Sequence, residues 1–346
     1  MTKVYVGMSG GVDSSLTAAL LKEQGYDVTG VYMKNWTQDL PGMHCPWADD
    51  LADAKRVAVQ LGIDFKVFDF ENEYKHKVVD YMIEEYKLGR TPNPDIMCNQ
   101  EVKFKLFLEA SLEDGADMIA TGHYARVENG VLKQAVDTNK DQTYFLYRVT
   151  GEALKKTLFP LGEFTKPVVR EMAKERGLFT AGKKDSQGIC FVGKVGIREF
   201  LSQYVEQKPG NIIDKVNGKV LGHHDGAIFY TLGQRHGLEL GGGLPYYVVG
   251  KDMDKNEVYV TTDLNDDTLW KETVGLQAVH WINSAPIEGD FTIRVRHRAP
   301  LVRAHLSFSG NDALLALVDP ERAVAPGQSV VIYDGDICLG GGIVAS

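Results

Sequence analysis

The rhythm of apolar positions changes near residue 200. Before it, short apolar runs alternate with segments whose apolar residues recur every three or four positions. Val4–Met8 predicts a strand, and Ser14–Glu23 carries Leu16, Ala19 and Leu20 at helical spacing, with Gly25 placed to end the helix. Val28–Met33 predicts a strand, Trp47–Leu61 a helix, Phe65–Phe70 a strand and Tyr74–Leu88 a helix. A proline-rich loop at Arg90–Cys98 follows. Asn99 then suits the N-cap of a helix starting near Glu101 and running over Val102–Ser111, and Met118–Thr121 predicts a further strand. Such alternation implies a parallel sheet covered on both faces, the doubly wound α/β class. Further along, Asn217-Gly218 lies between β-like runs, a hairpin signal. Short runs at Val248–Gly250, Glu257–Thr262, Thr292–Arg298 and Val330–Asp334 continue the β pattern. The expected organisation is a doubly wound N-terminal domain (1–204), a small β-containing central module (205–265) and a C-terminal β-barrel-like domain (266–346).

Composition alters this picture little. The chain has 346 residues, 44% of them hydrophobic and 25% charged, as in an ordinary globular protein. No apolar run approaches the ~18 residues of a membrane span. The N-terminus carries no signal or transit pattern, so the expected location is the cytoplasm, away from membranes. Four cysteines, Cys45, Cys98, Cys190 and Cys338, are too few for a disulfide scaffold and form no C-x-x-C pair, so no structural metal site is expected.

The net charge of −9 argues against a general nucleic-acid coat, but the charge is unevenly spread. Residues 140–198 carry 12 basic and 6 acidic residues, a net of +6, and leave −15 for the remainder. Phe291–Asn311 contains no acidic residue. Within it, Arg294, Arg296 and Arg298 alternate, which on a strand would place all three on one face as a phosphate-binding strip.

Ser9-Gly10-Gly11-Val12-Asp13-Ser14-Ser15 lies between the first strand and the first helix. A doubly wound fold holds its ligands at such a position. Two glycines allow close backbone approach, and free amides, the helix dipole and serine hydroxyls suit phosphate oxygens. Asp13 is placed to help hold Mg²⁺. Neither a Walker-type loop nor a dinucleotide fingerprint is present. The segment resembles the SGGxDS loop of the PP-loop ATP pyrophosphatases, which form adenylates and release pyrophosphate.

Two thiols stand in polar surroundings. Cys98 closes Pro92-Asn93-Pro94-Asp95-Ile96-Met97 near an expected helix start, which favours its thiolate. Cys190 lies in Lys183-Lys184-Asp185-Ser186-Gln187-Gly188-Ile189-Cys190, an electropositive segment with a glycine hinge. Cys45, beside His44, and Cys338 read as buried small hydrophobes.

PNPDIMCN, TGHYA at Thr121–Ala125, KDQTYFLY at Lys140–Tyr147, KKDSQGICFVG and GHHDGAIFYTLGQRHGLELGG at Gly222–Gly242 together resemble the bacterial tRNA-specific 2-thiouridylases. The likeness extends from the phosphate loop to Gln328. It implies ATP-dependent adenylation of the C2 oxygen of the wobble uridine, position 34, followed by sulfur transfer. By the resemblance, Cys190 carries a persulfide, and Cys98 acts as nucleophile, forming a Cys98–Cys190 disulfide or liberating hydrosulfide. Asp95 would orient the base and assist proton movement. Gly7, Met8, Ser9, Gly10, Gly11, Val12, Asp13 and Ser14, with Met33 and Gly122, would bind ATP, with Mg²⁺. Asn93, Pro94 and Asp95 would line the base pocket. His123, Lys140, Asp141, Gln142, Arg296, His297 and Gln328 would contact tRNA, beside the arginine strip. The implied partners are tRNA and a persulfide-donating protein relay fed by a cysteine desulfurase. Another PP-loop ligase acting on a small molecule would share the loop alone.

Overall fold

The computed structural model describes residues 1–39, 45–184, 196–241 and 243–345. Its N-terminal part is built on β1 (Lys3–Gly7), β2 (Asp27–Lys34), β3 (Asp64–Asp69), β4 (Met118–Ala120) and β7 (Thr157–Leu158). These form one parallel sheet in the order β3-β2-β1-β4-β7. The order reverses at β1, so the carboxyl end of β1 opens on the crevice where such sheets hold ligands.

Helix α1 (Val12–Glu23) has apolar or small residues on almost every side, because it is covered from two directions. Ala18 and Leu21 pack on Val4 and Val6 of β1, while Leu16 and Ala19 meet Val169 and Ala173 of α5 (Lys166–Glu175). Helix α2 (Trp47–Leu61) has one buried stripe, Ala54, Val57 and Ala58, and ends on Gly62 in the left-handed region at φ 59°. Both spans agree closely with the apolar periodicity. Two others differ. α3 begins at Glu71 and continues over 71–87 through a π-helical stretch. α4 begins at Pro94 and runs over 94–113, so its N-cap is Asn93, whose Oδ1 accepts from the amides of Asp95 and Ile96. Asn99 lies inside α4 and is buried. Asparagine followed by proline at the first helical position is a start signal in itself.

The central module is a four-stranded sheet, β10-β11-β8-β9, made of β8 (Gly210–Asp214), β9 (Val220–His224), β10 (Tyr247–Asp252) and β11 (Glu257–Thr261). Asn217-Gly218 makes the expected β8–β9 turn, with Gly218 at φ 70°. The C-terminal module is a barrel of β12 (Trp270–Trp281), β15 (Asp312–Arg322), β14 (Val302–Ser309), β13 (Gly289–Arg294), β16 (Ser329–Asp334) and β17 (Ile337–Val344), closed by β12–β17 pairing. Leu276, Ile293, Leu306, Leu315, Val330 and Ile332 fill its centre. The sheet does not stop at the barrel: β17 also pairs with β6 (Val131–Lys133) of the hairpin β5 (Arg126–Glu128)–β6. The N-terminal sheet region and the barrel are thus joined by backbone ladder bonds.

Among the described residues, no helix is long and apolar enough to cross a membrane.

Candidate active site

The loop after β1 is shaped by close contacts rather than by length. Gly10 has φ 72°, and a Cβ there would lie 2.5 Å from the Asp50 carbonyl oxygen, so only glycine fits. Gly11 occupies the N-cap of α1 and makes no side-chain cap bond. The amides of the first helical turn have no partner within the helix and face the loop, the ordinary arrangement for an anion. Ser14 Oγ donates to the Gly11 carbonyl at 3.2 Å, accepts from the Ser9 amide at 3.2 Å and lies 3.4 Å from Ser9 Oγ. Ser9 itself is exposed. Met33 packs against Gly7 at the far side of β1. Gly122, after β4, touches the backbone of Asp13 and Ser14, where a Cβ would come within 2.9 Å. Gly7, Gly10, Ser14, Met33 and Gly122 therefore gather at the carboxyl end of β1, while the side chains of Met8 and Val12 point into the core.

Asp13 is committed differently from the Mg²⁺ role expected of it. Both of its carboxylate oxygens accept from Lys166 Nζ at 2.7 Å, and Oδ1 also accepts from Tyr124 OH at 2.9 Å. Its oxygens are taken by an ammonium and a phenol, a poor fit to a cation ligand. Among the described residues no cluster of three or more histidine, cysteine or acidic side chains could hold a metal. Lys166 and Tyr124 were not legible as site residues. Tyr124 lies inside TGHYA, but nothing local pairs Lys166 with a residue 153 positions away.

Helix α4 carries the thiol. Cys98 is 1% exposed and sits in the main core cluster, not in a polar loop. Since α4 starts at Pro94, Cys98 lies one turn inside the helix with its amide already bonded to the Pro94 carbonyl. Asp95 stands at the second helical position, where a carboxylate is favoured by the helix dipole. Farther along α4, Phe104 lies 5.6 Å from the ring of His123, which adjoins Gly122. α4 thus reaches the nucleotide crevice through Phe104 and His123.

His123 is an interior residue. Thr121 Oγ1 and His123 Nδ1 are 2.8 Å apart, Phe159 lies edge-on at 6.0 Å, and burial with the Lys103 charge holds the imidazole well below its usual pKa, so it is neutral.

The expected RNA residues divide into two groups. Asp141 and Arg294 are buried against each other at 2.8 Å. Asp141 also accepts from Thr143 Oγ1 and the Ala135 amide. Gln142 Oε1 accepts from the Tyr124 amide. Lys140 is half-buried. The arginine strip is not a strand face, because β13 ends at Arg294 and the chain then turns. Arg298 adopts φ 63° and donates to the Asn139 carbonyl, while Arg296 donates to that of Arg322. Both remain exposed. Alternation in the sequence imitated a strand, but Arg294 is drawn inward by Asp141.

His297 and Gln328 approach the start of α4. The His297 ring lies 4.5 Å from Phe145, whose carbonyl accepts from Asn99 Nδ2. Burial and the charges of Arg298 and Arg294 push its imidazole down to about 4. Gln328 is two residues from Pro326, whose carbonyl accepts the Thr91 amide at 2.8 Å.

Cys190 and His44 lie outside the described residues. Just before the Cys190 segment, Lys183 Nζ donates to Asp50 at 2.9 Å and Asp53 at 2.8 Å. Its charge is therefore neutralised by two carboxylates, which holds Lys183 itself close to Gly10, the residue that abuts Asp50. Cys45 and Cys338 are buried, and burial raises both thiols above their usual pKa.

The chain matches three family models in succession. Residues 2–194 match the tRNA methyl transferase HUP domain, 198–262 the tRNA methyl transferase PRC-barrel domain and 271–344 the aminomethyltransferase beta-barrel domain. It is 50% identical over 351 residues to the tRNA-specific 2-thiouridylase MnmA of Listeria monocytogenes serotype 4a, covering 99% of this chain and 94% of that protein. The relative of the same name from Bacillus subtilis strain 168 is 47% identical over 352 residues, covering 99% and 95%. A solved 4-thiouridine synthetase–RNA complex with bound ATP overlaps 59% of this chain and 50% of that one, at 18% identity and a TM-score of 0.39. With about half of its residues shared across nearly its whole length, the chain belongs to the tRNA-specific 2-thiouridylase family.

Proposed function

We propose that this enzyme converts the wobble uridine of tRNA to 2-thiouridine at the expense of ATP. The observation that carries the reading is the pairing of an anion-holding loop with a buried thiol on α4, linked through Phe104 and His123. The C2 oxygen of uridine is a poor leaving group. Its attack on the α-phosphorus of ATP expels pyrophosphate and leaves an O-adenylate. The terminal sulfur of a Cys190 persulfide then attacks C2 and AMP departs. Attack by the Cys98 thiolate on the Cys190 sulfur breaks the S–S bond to the product, leaving 2-thiouridine and a Cys98–Cys190 disulfide. An external dithiol returns two electrons to reset both thiols. Release of the sulfur as hydrosulfide is the other route.

Each residue has a place in this scheme. Gly7 through Ser14, with Met33 and Gly122, hold the nucleotide, and any Mg²⁺ rides on the triphosphate rather than on Asp13. Lys166 and Tyr124 fix Asp13 so that the first turn of α1 keeps its amides aimed at phosphate. Asn93, Pro94 and Asp95 receive the base, flipped from a loop where unstacking costs little. Exposed Arg296 and Arg298, with His297 and Gln328, lie on the tRNA side. The Cys98 thiol is closed to solvent, so sulfur transfer requires Cys98 to be uncovered when tRNA docks. A persulfide-donating protein supplies sulfur, and the enzyme works in the cytoplasm. The module limits 1–204, 205–265 and 266–346 belong to the same proposal. A small-molecule ligase is not favoured, because the similarity covers the central and barrel modules as well as the loop.

The test of the nucleotide step is pyrophosphate release with tRNA present. Ser9→Ala and Asp13→Ala are each expected to lower it by roughly 100-fold or more, a loss comparable to removing one oxyanion donor, while tRNA affinity changes little. Unchanged release in Asp13→Ala would remove the loop from the reaction. For the RNA face, replacing Arg296 and Arg298 together by alanine is expected to reduce the slope of log affinity against log salt by about 2. A filter-binding titration from low to moderate salt measures it, and an unchanged slope would exclude both side chains from phosphate contact.

A further inference from the structure

A cavity of about 560 Å³ lies where the three modules meet, away from the nucleotide crevice. Gly89 and Thr91 contribute from the N-terminal part, Val248 and Lys251 from the central sheet, and Lys271 and Pro326 from the barrel. This volume falls within the usual ~300–1,000 Å³ of small-ligand sites. Its charge is selective. Among the described residues, two lysines and no carboxylate line it, in a protein whose acidic residues outnumber its basic ones by nine.

Lys251 makes the selection specific. Its Nζ donates to the Tyr230 carbonyl at 2.8 Å. Among the described residues no carboxylate lies within ion-pairing distance of it, and burial alone pulls its ammonium down to about 8. Lys34, Lys66, Lys133, Lys183 and Lys255, by contrast, are all raised by acidic partners. Its side chain is half-buried, and a cation drawn even partly out of water is ordinarily paired. The ammonium has two further N–H donors beside the one given to Tyr230.

We infer that the three-module cavity is a second anion site, in which Lys251, with Lys271 at the rim, takes a phosphoryl group. The phosphoryl group has two sources compatible with the proposed reaction, free pyrophosphate or a backbone phosphate of the bound tRNA. The choice of these two rests on the function proposed above; the site itself rests on the cavity and its lysines. The wall of the cavity includes Thr91, two residues before Asn93, and Pro326, whose carbonyl accepts the Thr91 amide. Occupancy is thereby placed next to the anchor of the base-binding loop.

The test reads the acetylation of individual lysines by dilute acetic anhydride in the intact enzyme, resolved by peptide mass spectrometry. Inorganic pyrophosphate at millimolar concentration is expected to protect Lys251 at least fivefold if the source is free, and tRNA alone if it is the RNA backbone. The same protection is expected in Asp13→Ala, whose nucleotide loop is impaired, so failure of the adenylation scheme and failure of this site give different results. Lys251→Met is expected to remove one unit of tRNA salt slope in the RNA case, or to weaken pyrophosphate binding outside the nucleotide loop at least tenfold in the other. Absence of protection of Lys251 by either probe in the wild-type enzyme would overturn the proposal, whatever the variant does.

Discussion

Replacement of Cys98 by alanine is expected to abolish 2-thiouridine, by about 10⁴-fold or more, while leaving pyrophosphate release close to normal. Loss of one member of a catalytic pair removes nearly all of the rate, because the partner has nothing to react with. The structural cost is small by comparison. Cys98 is packed in the core, and trimming one sulfur atom from a packed site destabilises by roughly 1 kcal/mol. Cys190→Ala is expected to give the same chemical loss. The natural controls are Cys45→Ala and Cys338→Ala, since both thiols are buried and pushed up in pKa. Mass spectrometry of wobble-uridine tRNAs from cells carrying each variant reads the outcome. Full thiolation in Cys98→Ala would strip that residue of its role. Loss of thiolation in Cys338→Ala at normal protein level would contradict the separation of reactive from inert thiols.

Arg294→Met is the variant with the largest expected effect on stability. Its side chain is 9% exposed and that of Asp141 1%, and the pair joins β13 of the barrel to the segment before Thr143. Removing the arginine strands a carboxylate in the interior, which costs about 3–5 kcal/mol. Two other bonds to Asp141, from Thr143 and Ala135, do not compensate a missing charge. The measurement is the urea midpoint followed by the fluorescence of Trp281, on β12 of the barrel. Adding Asp141→Asn to Arg294→Met is expected to recover part of the loss, since the amide oxygen still accepts from Ala135, its NH2 can donate to Thr143 Oγ1 and no charge is left unpaired. If Arg294 instead met RNA, the midpoint would stay in place while tRNA affinity fell, and the structural account would be wrong.

Arg294 also shows where the sequence ceases to be readable. Three arginines at every second position look like one polar face of a strand, and only a partner 153 residues away turns the first of them inward. Asp13 is a parallel case: the loop motif was plain, but the lysine that occupies its carboxylate arrives from α5. Neither pairing leaves a local trace. The start of α4 is different. Asn93-Pro94 carries a cap and a preset first turn, yet the prolines on either side suggested a loop, so Cys98 was expected before the helix instead of within it. Trp47–Leu61 was legible to the residue because its buried stripe is regular and no distant partner distorts it. The barrel was legible as β pattern, but its extension through β6 was not, since three-residue strands carry too few positions for a period.

The bond from the Thr91 amide to the Pro326 carbonyl, together with the Thr91–Thr231 hydroxyl contact at 3.2 Å, bears on the order of synthesis. The loop that leads to Cys98 leaves the ribosome early, but the groups that anchor it come roughly 140 and 230 residues later, at ~5–20 residues per second. For some 10–50 s the nascent chain therefore carries the Thr91 loop without these two anchors. Translation must nearly finish before the loop that leads into α4 has all of its anchors, which delays completion of that entrance until residue 326 has been made.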